Sequence, residues 1–272
     1  MTDDLYAHTR STVAAATWGP PNTGVILGRL VLDATQLQLW AGQIEQHQGV
    51  AVEAHHAVAS AVGRALVAAP GLNRVVRLGA PTQRNGVAVT IVDRGHHVRV
   101  DDADLMSISA LADAARHHVD DDASWEQTGR ALRFIPSAML RVVLRLVGLM
   151  GRIGAGVPGL GVEPGAMGAA VVERGAGFDT QFNPPVPHIA AGVHVVVGAI
   201  TDRVIAHAGV PAVRPTLAID VTVDARLCAN DELEVFVDVI RAALDDPWSL
   251  GAPEIDGVAG ADTQLRNDPV KS

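Results

Sequence analysis

Asp224-Ala225-Arg226-Leu227-Cys228-Ala229-Asn230 is the most informative stretch of this 272-residue chain. It follows an apolar run, 215–223, that is rich in Val and Ile, as the buried strands of a sheet are. The stretch contains the only cysteine of the chain. Arg226 is the only cation near that thiol and no base stands beside it, so the sequence gives little support to Cys228 as a nucleophile.

The stretch resembles the D-H-R-x-x-D-G motif of the chloramphenicol acetyltransferase-like superfamily, and especially of the catalytic domain of dihydrolipoyl acyltransferases. Asp224 and Arg226 match that motif. Ala225 stands where the histidine belongs, Ala229 where the aspartate belongs and Asn230 where the glycine belongs. The stretch therefore keeps Asp224 and Arg226 of the motif and lacks the motif's reactive side chains.

Other segments resemble the family in the same order along the chain. They are similar to its first long helix with a Pro-x-Leu-Asn ending, its G-x-A-V strand, the opening of its next helix, its N-P-P turn and its closing helix, and they lie at 52–74, 85–89, 102–108, 183–185 and 233–247. The likeness covers residues 25–250. It implies an α/β fold of one domain, the two-layer chloramphenicol acetyltransferase-like sandwich, in which helices cover a mixed sheet.

The resemblance also implies a chemistry. Acyl transfer from a coenzyme A thioester needs a base for the acceptor's proton and donors for the developing oxyanion. In the family the motif histidine is the base and the following aspartate fixes the loop, and alanine at 225 and 229 does neither. The oxyanion donor would lie within 169–174, which contains no Ser or Thr, and Glu173 there would oppose an oxyanion.

The sequence therefore predicts a catalytically degenerate acyltransferase homologue that acts as a structural or regulatory subunit. The family likeness implies a homotrimer, or a mixed trimer with an active relative, and a coenzyme A thioester as the ligand; no bound cofactor is expected. The alternative is an active coenzyme A-dependent acyltransferase that uses a displaced base.

His97 and Asp101 are the candidates for such a base. The run from His96 to Asp102 mimics the H-H-x-x-x-D-G signature of related condensation enzymes, with Asp102 in place of the glycine. His118 and Asp122 repeat the spacing. With 11 histidines in the chain such spacings arise by chance, and the family likeness places His97 on a strand away from the motif.

Hydrophobic periodicity predicts the main elements. Strands are expected at 25–33, 87–92, 97–100, 189–200 and 215–223, and helices at 34–48, 52–69 and 107–119. The strands at 87–92 and 97–100 are expected to form a hairpin. Residues 1–24 are predicted to be an N-terminal arm and residues 251–272 a disordered tail.

Two further segments allow more than one interpretation. Residues 130–153 predict an amphipathic helix with an arginine face, which would suit a membrane surface or a partner. The pattern favours the other interpretation, a helix packed on the sheet. The glycines of 154–159 match a dinucleotide fingerprint, but they follow a helix and enclose a proline, so we interpret them as a connection.

Composition excludes several function classes. A net charge of −9 argues against nucleic-acid binding, which relies on cations to neutralise phosphates. A single cysteine cannot form an intramolecular disulfide, and no spacing indicates a metal site. Lys271 is the only lysine, so no lysine-based catalysis is expected within the domain. Without a signal peptide or an apolar span, the predicted location is the cytoplasm.

Overall fold

A seven-stranded mixed sheet organises the computed structural model of the chain. The structure describes residues 25–77, 80–93, 96–117, 139, 142, 167–175, 191–227 and 229–251. Within these, the strands of the sheet are β1 (Val25–Asp33), β4 (Val89–Asp93), β5 (His96–Val100), β6 (Ala170–Arg174), β7 (Val193–Val197), β8 (Thr201–His207) and β9 (Val210–Asp224). The hairpin β2 (Arg74–Arg77) and β3 (Ala80–Gln83) lies outside the sheet.

The strand order is β1-β9-β7-β6-β4-β5, and β8 pairs with the first half of β9. The pairs β4–β6 and β6–β7 are parallel, and the other pairs are antiparallel. The 15-residue β9 contacts three other strands, because β1 and β7 flank its second half while β8 flanks its first. β9 is therefore the strand on which the sheet is assembled.

Four helices are described, and all pack with the sheet into one apolar core. They are α1 (Thr35–Gln48), α2 (Ala54–Ala68), α3 (Ile108–His117) and α4 (Asn230–Asp245). A short 3₁₀ helix, Pro247–Leu250, follows α4. The alanine-rich α2 is buried along nearly its whole length, since small side chains let it approach the sheet and α4 closely. Leu66, Phe236 and Ile219 are among the fully buried side chains that hold these layers together.

Alternation along each strand gives the sheet two different faces. On the helix-covered face lie Ile91, Val172, Val195 and other members of the main core. The opposite face, called here the second face, contains a small separate apolar cluster of Val92, Val171, Ala191 and Met167. Much of the rest of the second face is polar, which matters for the site described below.

The structure confirms the α/β fold, the strand at 25–33, the first two helices and the hairpin that is now β4–β5. The strand expected over 189–200 is wrong in length, because β7 ends at Val197 and the chain shifts through Gly198 before β8 begins. The N-terminal arm, the tail after 251, the turn at 183–185 and the glycines of 154–159 lie outside the described residues. So does nearly all of the amphipathic segment 130–153.

The start of α2 contains two buried histidines in contact. The rings of His55 and His56 lie 4.1 Å apart between centroids. The backbone N–H of Glu53 donates to Nδ1 of His56 at 3.1 Å, so this imidazole occupies the place that Glu or Gln takes in a capping box. Burial lowers the pKa of His55 from 6.5 to about 4 and that of His56 to about 3, so both are neutral at pH 7.

We expect this pair to make the fold acid-sensitive. A folded-state pKa below the unfolded value stabilises the protein above pH 6.5, and that stability is lost as the pH falls from 6.5 towards 4 and 3. At pH 5 each histidine should lower the free energy of unfolding by about 2 kcal/mol relative to pH 7. His56→Gln keeps the capping acceptor and should remove about half of this pH dependence in urea unfolding. The exposed His47→Gln is the control, and an unchanged slope in His56→Gln would contradict the assignment.

Candidate functional site

The motif stretch lies at the junction between β9 and α4, as the sequence predicts. β9 ends at Asp224, a turn covers 225–227 and α4 begins at Asn230 with Ala229 as its N-cap. Leu227 is buried in this turn and its N–H donates to the carbonyl of Asp224 at 3.0 Å. Cys228 lies outside the described residues.

Asp224 and Arg226 form an ion pair that fixes the turn. Nε of Arg226 donates to Oδ1 of Asp224 at 2.9 Å and Nη2 donates to Oδ2 at 2.5 Å, while the backbone N–H of Arg226 donates to Oδ1 at 3.0 Å. The carboxylate is buried and the guanidinium is half exposed. The hydrogen bond with Asp224 raises the pKa of Arg226 above the usual value of an arginine. Asp224 and Arg226, the two residues that match the motif, therefore pair with each other.

The three residues that depart from the motif are exposed at the same turn. Ala225 offers no atom that could accept a proton, and Ala229 offers no oxygen to cap α4. Glu232, at the third position of α4, supplies the other bond of a capping box, since its Oε2 accepts from the N–H of Ala229 at 3.4 Å. Its Oε1 accepts from the N–H of Gly71 at 2.9 Å and so ties α4 to the end of α2. A Cβ at Gly71 would contact this carboxylate, so a larger residue there would displace the Glu232 side chain from its hydrogen bond.

Glu173 lies on β6, the strand in which the oxyanion donor was expected, and it makes a pair with His194 of β7. Nε2 of His194 is 3.2 Å from Oε2 of Glu173. His194 is buried, and its other ring nitrogen, Nδ1, has no hydrogen-bond partner. This pair was not found from the sequence, because 20 residues separate its members and only the parallel pairing of β6 with β7 brings them together.

Arg174, the next residue of β6, points to the helix-covered face. Its Nη1 lies 3.0 Å from Oε2 of Glu53 at the start of α2 and 3.4 Å from Oδ1 of Asp93 at the end of β4. This cluster of charges closes the edge of the core beside the buried histidines of α2. It is separated from the Glu173–His194 pair by the sheet itself.

Two hydroxyls share the second face with His194. The register pairs Thr90 of β4 with Val171 of β6, Val171 with His194, and His194 with Thr222 of β9. These four residues therefore form one row across the sheet, two residues before the motif begins at Asp224. The hydroxyls of Thr90 and Thr222 are buried and have no hydrogen-bond partner. The family likeness predicts an oxyanion donor only within 169–174, so it identifies neither threonine.

The structure does not place His97 and Asp101 near the motif stretch. His97 lies exposed on the edge strand β5, opposite Val92, and β4, β6 and β7 separate it from β9. Asp101 accepts hydrogen bonds from Nε and Nη2 of Arg99 at 2.9 and 2.6 Å. The second candidate spacing, His118 with Asp122, lies outside the described residues.

Among the residues that the structure describes, no group of three His, Cys, Asp or Glu side chains is arranged to hold a metal ion. None of the helices there has both the length and the apolar character needed to cross a membrane.

Solved structures show what this chain is similar to. The cubic core of the pyruvate dehydrogenase multienzyme complex superposes with a TM-score of 0.62 at 14% identity, covering 91% of this chain and 90% of that one. Dihydrolipoamide acetyltransferase of Azotobacter vinelandii gives 0.62 at 15% identity with the same coverage. A probable dihydrolipoamide acetyltransferase of Listeria monocytogenes 4b F2365 gives 0.56 at 16%, covering 89% and 90%. No family model and no curated protein sequence matches the chain.

The chain has the dihydrolipoamide acetyltransferase core fold. The likeness covers nearly the whole of both chains, so the fold expected from the motif frame is confirmed. In the Azotobacter vinelandii enzyme a serine, a histidine and an asparagine were investigated for their role in the catalytic mechanism. At such low identity the likeness establishes the fold, and the chemistry of this chain has to be argued from its own residues.

Proposed function

We propose that this protein is a homologue of coenzyme A-dependent acyltransferases whose motif turn is structural, and that it acts as a structural or regulatory subunit. The observation that carries the proposal is Ala225, exposed at the β9–α4 turn where a base would be required. The Asp224–Arg226 pair beside it is intact. Selection for the shape of the turn alone would keep the Asp224–Arg226 ion pair and would not keep a base beside it.

Acyl transfer at this turn would lack both of its chemical requirements. No side chain at 225 can take the acceptor's proton. The strand position expected to supply an oxyanion donor carries Glu173, whose carboxylate is engaged by His194. A coenzyme A thioester remains the ligand class that the fold suggests, as a molecule bound without being turned over.

The β8–β9 ribbon supports an assembly of several copies. It extends beyond β1 and β7 as two strands only, and such a ribbon is marginally stable in water by itself. Val204 and Val213 face each other across it and are 69% and 68% exposed. A similar solved structure is the core of a multienzyme complex. We propose a homotrimer, or a mixed trimer with an active relative, in which this ribbon is covered by a neighbouring copy.

Replacing the ribbon's apolar pair should dissociate the assembly. Val204→Lys combined with Val213→Glu places opposite charges across the ribbon, which keeps the strands paired while removing the apolar contact. Size exclusion with light scattering should give a trimer for the wild type and a monomer for this variant. Val67→Lys on α2, at a valine that is also exposed, is the matched control and should remain trimeric. A monomeric wild type or a trimeric variant would contradict the proposal.

A second candidate function, acyl transfer with a base placed elsewhere, is favoured by the Glu173–His194 pair. Glu173 can hold the imidazole so that Nδ1 is free to accept a proton, as the carboxylate does in a Ser-His-Asp triad. This pair is better placed than His97 with Asp101, because His194 lies on the strand beside β9 and is buried. The two candidate functions differ in whether the protein turns over a thioester.

We expect no release of coenzyme A from acetyl-coenzyme A with dihydrolipoamide above the rate in buffer. A missing general base alone costs about 10² to 10⁴ in rate. Ala225→His should restore little, since the oxyanion position has also changed. A thiol-release assay on the wild type decides between the candidates. Turnover that disappears in His194→Gln would establish the second candidate, and turnover that survives in it would refute both.

A further inference from the structure

We propose that the first turn of α2, together with the loop before it, is a latch that opens in mild acid while the rest of the fold stays closed. The latch comprises residues 50–57. It lies at the edge of the sheet where β4 and β6 end, opposite to the edge that carries the motif turn. Its opening goes beyond the proposed function, because neither the motif turn nor the β8–β9 ribbon takes part in it.

Hydrogen bonds at Glu53 close the latch. Its N–H donates to Nδ1 of His56 at 3.1 Å, and its carbonyl accepts from the N–H of His56 at 3.0 Å and from that of Ala57 at 3.3 Å. The first N–H groups of a helix have no partner within the helix, so unwinding one turn here breaks little regular structure. On the other side of the loop, α1 ends at Gly49, which caps that helix with a φ of 68°. The loop can therefore open without unwinding α1.

The two imidazoles of the latch must both be neutral for it to close. Nδ1 of His56 accepts the hydrogen bond from Glu53, and a protonated ring has no lone pair with which to accept it. The ring of His55 lies 4.1 Å away between centroids, so two charged rings would repel each other. Nε2 of His55 is buried and has no hydrogen-bond partner, so its N–H in the protonated ring would lack an acceptor. Protonation therefore opposes closure through three separate contacts.

The charged groups around the pair do not reverse this preference. Glu53 and Asp93 of β4 favour charged imidazoles, whereas Arg116 of α3 and Arg174 of β6 oppose them. Burial is the largest contribution, and it lowers the pKa values of the two rings to about 4 and about 3. Arg174 pairs with Glu53 at 3.0 Å, and both side chains are partly exposed. Water can therefore replace this ion pair at little cost when the latch opens.

Opening the latch returns both rings to water, where the pKa of a histidine is 6.5. Because the open form binds protons more tightly than the closed form, the opening constant rises as the pH falls below 6.5. Between pH 7 and pH 5 it should rise about 20-fold for each histidine and about 500-fold for both. Beyond the latch, Val58, Val62 and Leu66 of α2 are fully buried. Unwinding α2 further would expose this core without relieving any more charge, so the opening is expected to stop there.

Native-state hydrogen exchange of the full chain, followed by ¹H–¹⁵N spectra at low urea concentrations, tests the latch. The reporter amides are those of Glu53, His56 and Ala57, and the reference amides are those of Val62 and Leu66 in the same helix. At pH 5 the reporters should exchange faster than the reference amides and with little dependence on urea, because a local opening exposes little surface. The reference amides should keep the urea dependence of global unfolding. Reporter protection factors, corrected for the intrinsic exchange rate, should be about 500-fold lower at pH 5 than at pH 7.

Glutamine substitutions test whether the imidazoles operate the latch. His55→Gln combined with His56→Gln removes both titratable rings and keeps a side chain that can accept from the N–H of Glu53. Protection of the Glu53 and Ala57 amides should then change less than about threefold between pH 7 and pH 5. His56→Gln alone should leave a fall of about 20-fold, which tests the pair even if the double variant does not fold. His47→Gln, at an exposed position in the last turn of α1, is the matched control and should keep the full fall.

Three results would overturn the latch. They are a urea dependence of the reporter amides equal to that of Val62 and Leu66, reporter protection that is the same at pH 7 and pH 5, and a fall in the histidine variants as large as in the wild type. The trimer and thioester turnover are measured separately, with variants at residues outside the latch. Failure of the latch therefore leaves the proposed subunit function standing, and failure of that function leaves the latch standing.

Discussion

The ion pair between the buried carboxylate of Asp224 and Arg226 determines where the central strand ends and the last helix begins. β9 carries the pairing of β1, β7 and β8, so its end fixes the edge of the sheet on which α4 then packs. A buried carboxylate needs partners, and Arg226 supplies a backbone and a side-chain donor two residues later. This local closure requires neither of the alanines beside it.

The turn can therefore hold its shape without a titratable side chain at position 225. Ala225 is exposed, whereas Asp224 and Leu227 on either side of it in the turn are buried. Ala229 has no side-chain oxygen to cap α4, and the start of the helix is held by Glu232, which accepts from the N–H of Ala229 and from the N–H of Gly71 beyond the end of α2. The residues that hold the shape of this turn, Asp224, Arg226 and Leu227, are therefore not the exposed alanines beside them.

The sequence predicted much of the frame and little of the second face. The matching residues Asp224 and Arg226 identified the strand–helix junction, because their spacing is local and the motif is specific. Glu173 was interpreted only as an obstacle to an oxyanion. The pairing of Glu173 with His194, and the alignment of Thr90 with both, depend on the register of three strands that are distant in sequence. The β8 strand was missed because Asp202, Arg203 and His207 break the apolar pattern of a buried strand.

The claim that the ion pair holds the motif turn can be tested by a double-mutant cycle on urea unfolding. Asp224→Asn and Arg226→Gln should each destabilise the protein, with a coupling energy of at least about 1 kcal/mol, as expected for a hydrogen-bonded pair with one buried charge. Arg99 and Asp101 are the matched control, because they form an ion pair of the same spacing at 2.6 Å with the carboxylate exposed. Their coupling should be below about 0.5 kcal/mol. A coupling at 224 and 226 no larger than that of the control would contradict the claim.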